Sequence, residues 1–463
     1  MKYLFVTFVI FSSLPVVSQT SAVMKAYKNY KANEITHRRF KQSDVFGSLD
    51  KLGDQFTITE LGRSVEGRSI KMVSVGAGPI NVLMWSQMHG NEPTATQALL
   101  DLVQFLAADD EYNGLRKRMR EQLTMHFIPM LNPDGAQYFQ RRNMQGIDIN
   151  RDALRQQTPE GVTLKKVRDS LNADWGFNLH DQSRYTQVGQ LPASISFLAP
   201  AYDYDLSINE VRGDAMKLIV VLNRVAQQYV PNQVGRYWDD FEPRAFGDNI
   251  QKWGTRTILI ESGGYQGDRE KQYLREVNFA LLLTALDQIS SVEFKSEPVS
   301  SYESIPNNAN GRLHDLIIKN INWKSEYITD VAIRQNEREN IAHDDYYLVG
   351  AITDVGDLST ATSYEAFDAS DYIAEAGKMY RSVLSSEEFG SLNVHDLIKE
   401  GITDVRISDG FDPFARDNKL KIHEAENAKV DERIAPGANP SMVFRKNGKI
   451  VFTLINGTLI KID

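Results

Sequence analysis

The stretch Trp85–Leu106, WSQMHGNEPTATQALLDLVQFL, sets a histidine and a carboxylate three positions apart, His89 and Glu92. They fall where an apolar run, INVLMW, gives way to a helix-like pattern that starts at Pro93. A second histidine, His180, ends the run FNLH, and a glutamate, Glu261, ends TILIE. The chain has no cysteine, which excludes disulfides, thiolate zinc sites and a cysteine nucleophile. Any transition metal must then be held by His, Asp or Glu. A catalytic zinc takes three protein ligands and keeps one position open. His89, Glu92 and His180 supply three, and Glu261 is a carboxylate suited to face the open position and take a proton from water. Each feature alone is commonplace. HxxE recurs on helix surfaces, a strand-end histidine often only makes a hydrogen bond, and a glutamate there can cap a helix. Their joint occurrence at the ends of apolar runs is what suggests a site.

Four such runs must position these groups: INVLMW (80–85), LTMHFIPML (123–131), WGFNL (175–179) and TRTILI (255–260). Each has the length of a buried strand, and helical patterns lie between them, notably TATQALLDLVQFLAA and EVRGDAMKLIVVLNRVAQQYV (210–230). Pro93 suits a helix start, where a missing N–H costs little. The alternation predicts an α/β fold with a largely parallel or mixed sheet covered on both faces. Polar residues close each run: His89 and Glu92, then Asn132–Gly135, then His180 and Asp181, then Glu261–Gly264. Ligand sites of open α/β sheets form beyond the carboxyl ends of strands, so these ends converge on one crevice. His126, between Met125 and Phe127, reads as a core or edge histidine.

At 463 residues the chain is long enough for two folded units, and 42% hydrophobic with 24% charged residues is ordinary for a globular protein. A net charge of −9 argues against nucleic acid as a main partner. The N-terminus, with Lys2 ahead of an apolar stretch Tyr3–Phe11 and a small-residue site near Val16–Ser18, predicts a signal peptide over residues 1–18. Ser12, Ser13 and Pro15 break that stretch short of the roughly 20 residues a span needs. The expectation is an exported protein, periplasmic or extracellular, with no stable membrane insertion after signal removal. Residues 24–60 look helical and polar. A Ser-, Pro- and Asn-rich stretch over 291–311 predicts a linker, and 312–463 a smaller β-rich domain.

The segments HGNE, NPDG, RRNMQGIDINRD, LHDQS and ILIESGG occur in the order typical of the carboxypeptidase A-like zinc carboxypeptidases, and residues 24–290 resemble that family's catalytic domain. The resemblance implies an α/β/α sandwich with a mixed eight-stranded sheet. It implies one zinc ion per chain on His89, Glu92 and His180, with Glu261 as the general base. Arg141 would stabilise the oxyanion, although Arg142 beside it competes for that role. Asn150 and Arg151 would grip the terminal carboxylate of a peptide, a task for which the planar guanidinium fork is suited. Asp148 resembles the carboxylate that orients the first ligating histidine. Two departures stand out. ESGG replaces the apolar residue that usually follows the catalytic glutamate, and the family's mobile tyrosine has only Tyr237 as its nearest match. The side-chain pocket is expected near Phe246–Ile250, unassigned.

The C-terminal part is similar to the small β-domain that flanks the barrel in amidohydrolases, without any His-X-His or room for a barrel. His314-Asp315 and His395-Asp396 read as polar leaders of a strand or helix, not as a second metal site. The expected function is a zinc metallocarboxypeptidase acting on peptides. Two alternatives are a cell-wall peptide hydrolase of the same family and a zinc-dependent peptide-binding protein whose chemistry has lapsed.

Overall fold

The computed structural model describes residues 17–408, 410 and 419–462. Most of the expected signal peptide, residues 1–16, lies outside the described residues. In chain order the first half contributes β1 (Thr57–Arg63), β2 (Ser69–Gly76), β3 (Ile80–Ser86), β4 (Leu123–Ile128) and β5 (Trp175–Asp181). A small ribbon follows, β6 (Gln187–Val188) with β7 (Leu191–Pro192), and then β8 (Ile195–Leu198), β9 (Val234–Arg236) and β10 (Arg256–Ser262). Among the described residues an eight-stranded sheet forms in the order β1-β2-β4-β3-β5-β10-β8-β9. Its centre, β4-β3-β5-β10, is parallel, and antiparallel pairs flank it at β2/β4 and β10/β8. The mixed sheet is the one expected from the four apolar runs. One boundary differs: the strand expected over 123–131 stops at Ile128, because Pro129 offers no N–H to a ladder.

The helices of this half are α1 (Val17–Lys25), α2 (Gln42–Leu49), α3 (Thr94–Ala107), α4 (Asn113–Gln122), α5 (Pro133–Gln137), α6 (Pro159–Leu171), α7 (Glu210–Tyr229), α8 (Phe246–Lys252) and α9 (Gln272–Ser291). Alternation along β3 shows why both faces are covered. Val82 and Met84 join the core formed with α3, α7 and α9, while Leu83 and Trp85 join a second core with Leu164, Phe246 and Ile250 of α6 and α8. Helices on both faces make the α/β/α sandwich.

Residues 24–60 differ from the helical reading. Between α1 and α2 there is only a short 3-10 turn, Tyr27–Asn29, and Thr57 already opens β1. The intervening strap is held by a buried ion pair instead of by helical bonds. Arg275 of α9 bonds Asp101 of α3 at 2.7 Å and donates to the carbonyls of Ala32 and Ile35, while Asp101 accepts from the Ala32 N–H and the Tyr27 hydroxyl. Charge in KNYKANEITHRRFKQ therefore hid a strap whose Tyr27, Tyr30, Ile35 and Phe40 are buried.

Residues 291–311 pack closely on the first sheet. Phe294, Tyr302 and Ile305 are buried in its core, and Asn308 bonds Ser196 and Gln182. Beyond them come β11 (Leu313–Trp323), β12 (Tyr327–Glu339), β13 (Tyr346–Gly356), β14 (Thr362–Asp368), β15 (Ile373–Ala376), β16 (Lys378–Leu384), β17 (Ile402–Ile407), β18 (Lys421–His423), β19 (Met442–Lys446), β20 (Lys449–Ile455) and β21 (Thr458–Lys461). Most form a second sheet in the order β13-β12-β11-β15-β19-β20-β21, with β14 also on β11. The β-rich expectation overlooked a small parallel unit, β16-β17-β18 with α10 (Ser386–Ser391) and α11 (Val394–Lys399). His314 lies in β11 and His395 in α11, in agreement with their reading as element starts.

Removing one partner of a fully buried ion pair costs about 3–5 kcal/mol because the other charge stays behind. Arg275→Met is expected to lose stability on that scale, read as a lower denaturant midpoint, whereas Arg63→Met on the exposed β1 edge should shift it negligibly.

Candidate metal centre

The register of the parallel strands builds the site. Glu261 pairs with His180 across β10 and β5, so the two side chains leave the same face at the same height. His89 and Glu92 sit in the tight turn between β3 and α3, where the Glu92 N–H bonds the His89 carbonyl. That turn exists only because Gly90 lacks a side chain: a Cβ there would lie 1.9 Å from the Gly135 carbonyl carbon. NPDG is the turn's support. Asn132 donates to the Met88 carbonyl at 3.2 Å and accepts from the Gly135 N–H at 2.8 Å. Asp134 in turn accepts from Ser64, the Glu66 N–H and Arg68. Sequence reading placed NPDG at the crevice without this role, since nothing in the motif says that it props the histidine turn.

Three donor atoms converge. His89 Nδ1 lies 2.8 Å from Glu92 Oε1 and 3.2 Å from His180 Nδ1, and His180 Nδ1 lies 2.7 Å from Glu92 Oε2. All three residues are buried, and among the described residues they are the one His/Asp/Glu group close enough to hold a metal ion together. Ligands at zinc's roughly 2.0–2.1 Å bond lengths stand about 3 Å apart around a tetrahedron, so this donor set fits that ion. His89 turns its other nitrogen, Nε2, to Asp148 at 3.0 Å, which fixes Nδ1 toward the common centre. Burial alone would raise the Asp148 carboxyl, but the His89 hydrogen bond and charge and the Arg141 guanidinium hold it well below the usual range.

Glu261 stands beside this triad, buried, with Oε2 lacking any hydrogen-bond partner. Burial pushes its carboxyl well up, the charges of Glu92 and Asp181 push the same way, and Arg141 and Lys271 oppose them. Lys271 reaches the group from the start of α9, bonding Asp181 at 3.1 Å and the Ser262 carbonyl at 2.9 Å. No motif announced this lysine, which itself takes a left-handed backbone conformation (φ 53°) just ahead of α9.

The adjacent arginines point differently. Arg141 bonds Asp148 through Nε at 3.1 Å and brings Nη1 to 3.1 Å from both Glu92 and His89 Nδ1. Arg142 is exposed, and its guanidinium bonds the Gly146 carbonyl at 3.0 Å. The loop between them and Asp148 is shaped by buried Asn143, which bonds Glu160 and accepts from the Gln145 and Ile147 N–H groups. Asn150 accepts from the Phe246 N–H at the start of α8, and Arg151, exposed, pairs with Glu242 at 3.2 Å. Tyr237 is half-buried near these groups; burial and the charges of Glu261 and Glu92 raise its phenol. The expected side-chain pocket region contains Asp248, buried, whose carboxyl burial pushes up to about 7. His126, bonded to Ser74 at 2.8 Å, lies in β4.

Within ESGG, Gly264 answers a steric demand. A Cβ on Gly264 would lie 2.0 Å from the Tyr364 hydroxyl, which comes from β14 and donates to the Arg184 carbonyl. The glycine makes room for the second sheet.

A model of the family described as zinc carboxypeptidase matches residues 49–184. Carboxypeptidase 2 of Trichophyton rubrum is 35% identical over 129 residues, 26% of this chain and 23% of the relative. Carboxypeptidase E of Caenorhabditis elegans is 26% identical over 195 residues, 35% of this chain and 41% of the relative. The chain thus spans well under half the length of these curated relatives. Among solved structures, a metallo-carboxypeptidase from Burkholderia cenocepacia is 20% identical, covering 54% of this chain and 70% of its own, with a TM-score of 0.44. Carboxypeptidase A from Helicoverpa armigera is 12% identical, covering 60% and 82%, with a TM-score of 0.45.

Two outcomes follow from this geometry. Asp148→Ala frees the His89 ring and should weaken zinc binding about 10–100-fold, measured by competition with a chelating dye. Asp248 binds its proton more tightly folded than unfolded, so its ionisation costs stability progressively as pH rises from about 4 to about 7. Asp248→Asn, which keeps the acceptor for the Glu242 N–H, should match the parent's melting temperature at pH 4 and exceed it at pH 8.

Proposed function

We propose, on the premise that residues 49–184 belong to the zinc carboxypeptidase family, that this chain is an exported metallocarboxypeptidase removing C-terminal residues from peptides. The observation that carries the reading is the convergence of His89, Glu92 and His180 donors within 3.2 Å beside a buried carboxylate with a free oxygen, Glu261. In the same reading, residues 24–290 are the catalytic domain.

Zinc, when bound to His89, Glu92 and His180, supplies a Lewis acid that makes water a competent nucleophile near neutral pH and polarises the scissile carbonyl. Glu261 takes the proton of the attacking water and passes it to the amide nitrogen as the C–N bond breaks and the new C–O bond forms. Its buried carboxylate with a free oxygen beside the triad is placed for that shuttle. Arg141, turned toward Glu92 and 44% exposed, faces the negative charge that develops on the carbonyl oxygen. Arg151 and Asn150 grip the terminal carboxylate. Arg151 now pairs with Glu242 and exchanges that partner for the substrate, a swap between exposed groups that costs little. Tyr237, beside the same charges, covers the bound residue.

The N-terminal charge and apolar pattern supports export, and among the described residues no helix is long and apolar enough to cross a membrane. A lapsed, purely peptide-binding chain would have no use for Glu261 and Arg141 together in this arrangement.

The test separates ligand from base. Glu261→Gln should retain zinc and lose about 10²–10⁴-fold in kcat on blocked dipeptides, while His180→Ala should lose the metal itself by elemental analysis. Equal zinc content in the two variants, or release of internal fragments without C-terminal residues, would count against the assignment.

A further inference from the structure

The loops of the first sheet do not bound the cleft alone. A cavity of about 380 Å³ begins at Glu92 and Arg141 and extends to Arg38, Arg269 and Glu337. Asn150, Arg151, Tyr237 and α8 contribute nothing to its lining. With the terminal carboxylate on Asn150 and Arg151, the residues ahead of the scissile bond run into this cavity. Its far end is made by other parts of the chain: Arg38 comes from the strap before α2, and Glu337 from β12 of the second sheet.

That end is cross-braced. Glu337 pairs with Arg38 at 2.5 Å and with Arg39 at 3.0 Å, and the Arg38 N–H bonds Glu270 at 2.9 Å. Tyr346 of β13 bonds the same Glu270. One layer behind, buried Asp315 of β11 accepts from Tyr185 at 2.5 Å and from the Gln335 N–H at 2.7 Å, and it pairs with Arg184 at 3.0 Å. Tyr364 fills the space left by Gly264. Ion pairs with this much burial and mutual bonding hold a surface in place more firmly than loops do.

We infer that the C-terminal β-rich part is the far wall of the substrate cleft and gives the enzyme a length limit, selecting short peptides over long chains. This rests on the carboxypeptidase reading. At about 3.3 Å of extended chain per residue, and with a volume near the low end of the roughly 300–1,000 Å³ typical of small-ligand pockets, the cavity accepts two or three residues. A longer peptide must bend out toward solvent or displace the Arg38–Glu337 brace, and either loses binding energy.

The test is a series of peptides of two to eight residues sharing one C-terminal dipeptide. Turnover is read on the zinc-loaded full-length protein, and dissociation constants are read by calorimetry on zinc-loaded Glu261→Gln. Both readouts should hold steady for the short members and weaken by about tenfold or more for the longest. Glu337→Ala should narrow the long-to-short ratio severalfold, and Arg38→Ala provides the same opening if the first variant fails to fold. An eight-residue peptide that binds as tightly as a tripeptide overturns the wall, as does a length ratio unchanged in both wall variants. Absence of release at every length, with the binding series still breaking between short and long, overturns the hydrolase reading and leaves the wall standing.

Discussion

Burial of like charge at one strand edge is the constraint around which the molecule is organised. Glu92, Glu261 and Asp181 are all buried or nearly so within one crevice, and unpaired carboxylates in such a place are costly. The cost is offset by cations brought from elsewhere, Lys271 on Asp181 and Arg141 beside Glu92, and by the imidazoles in contact with Glu92. A divalent ion on the triad would add the largest positive charge of all. The crowding raises Glu261's proton affinity, and it exists only because parallel β5 and β10 set His180 and Glu261 side by side.

Precision comes from what surrounds that edge. The histidine turn rests on NPDG, and the arginine loop rests on Asn143 and Glu160. Asp148 ties the two loops together by bonding His89 and Arg141 at once. Most of these supports are side-chain hydrogen bonds in buried or half-buried positions, where a buried partner left alone would cost more than the bond returns. The turn and the arginine loop therefore move little relative to one another. Catalytic geometry needs that stiffness, because proton transfer and charge stabilisation both fall off over fractions of an ångström.

The second sheet is built into the same region. Its contacts gather around Arg184, Tyr185, Arg269 and Glu270, the loops that follow β5 and β10, where the polar strand ends lie. Gly264 is the local concession to that docking, because a Cβ there would meet the Tyr364 hydroxyl, whereas a Cβ on Gly263 would meet the Ala193 carbonyl of the first half at 2.0 Å.

The sequence by itself determined the central strands and the polar residues that close them. Buried parallel strands read as apolar runs whatever surrounds them, and polar residues at their ends mark the edge where ligands bind. His89, Glu92, His180 and Glu261 were legible for that reason, and so was the alternation that covers both faces of the sheet. Only tertiary structure decided the rest. Arg141 on His89, Lys271 on Asp181, Tyr27 and Arg275 on Asp101, and Glu337 against Arg38 are meetings of residues distant along the chain. Local periodicity carries no record of such pairs. Their partners are selected by packing and charge once the sheets are formed, which is also why the polar strap held by Asp101 and Arg275 carries a helix-like local pattern without being helical.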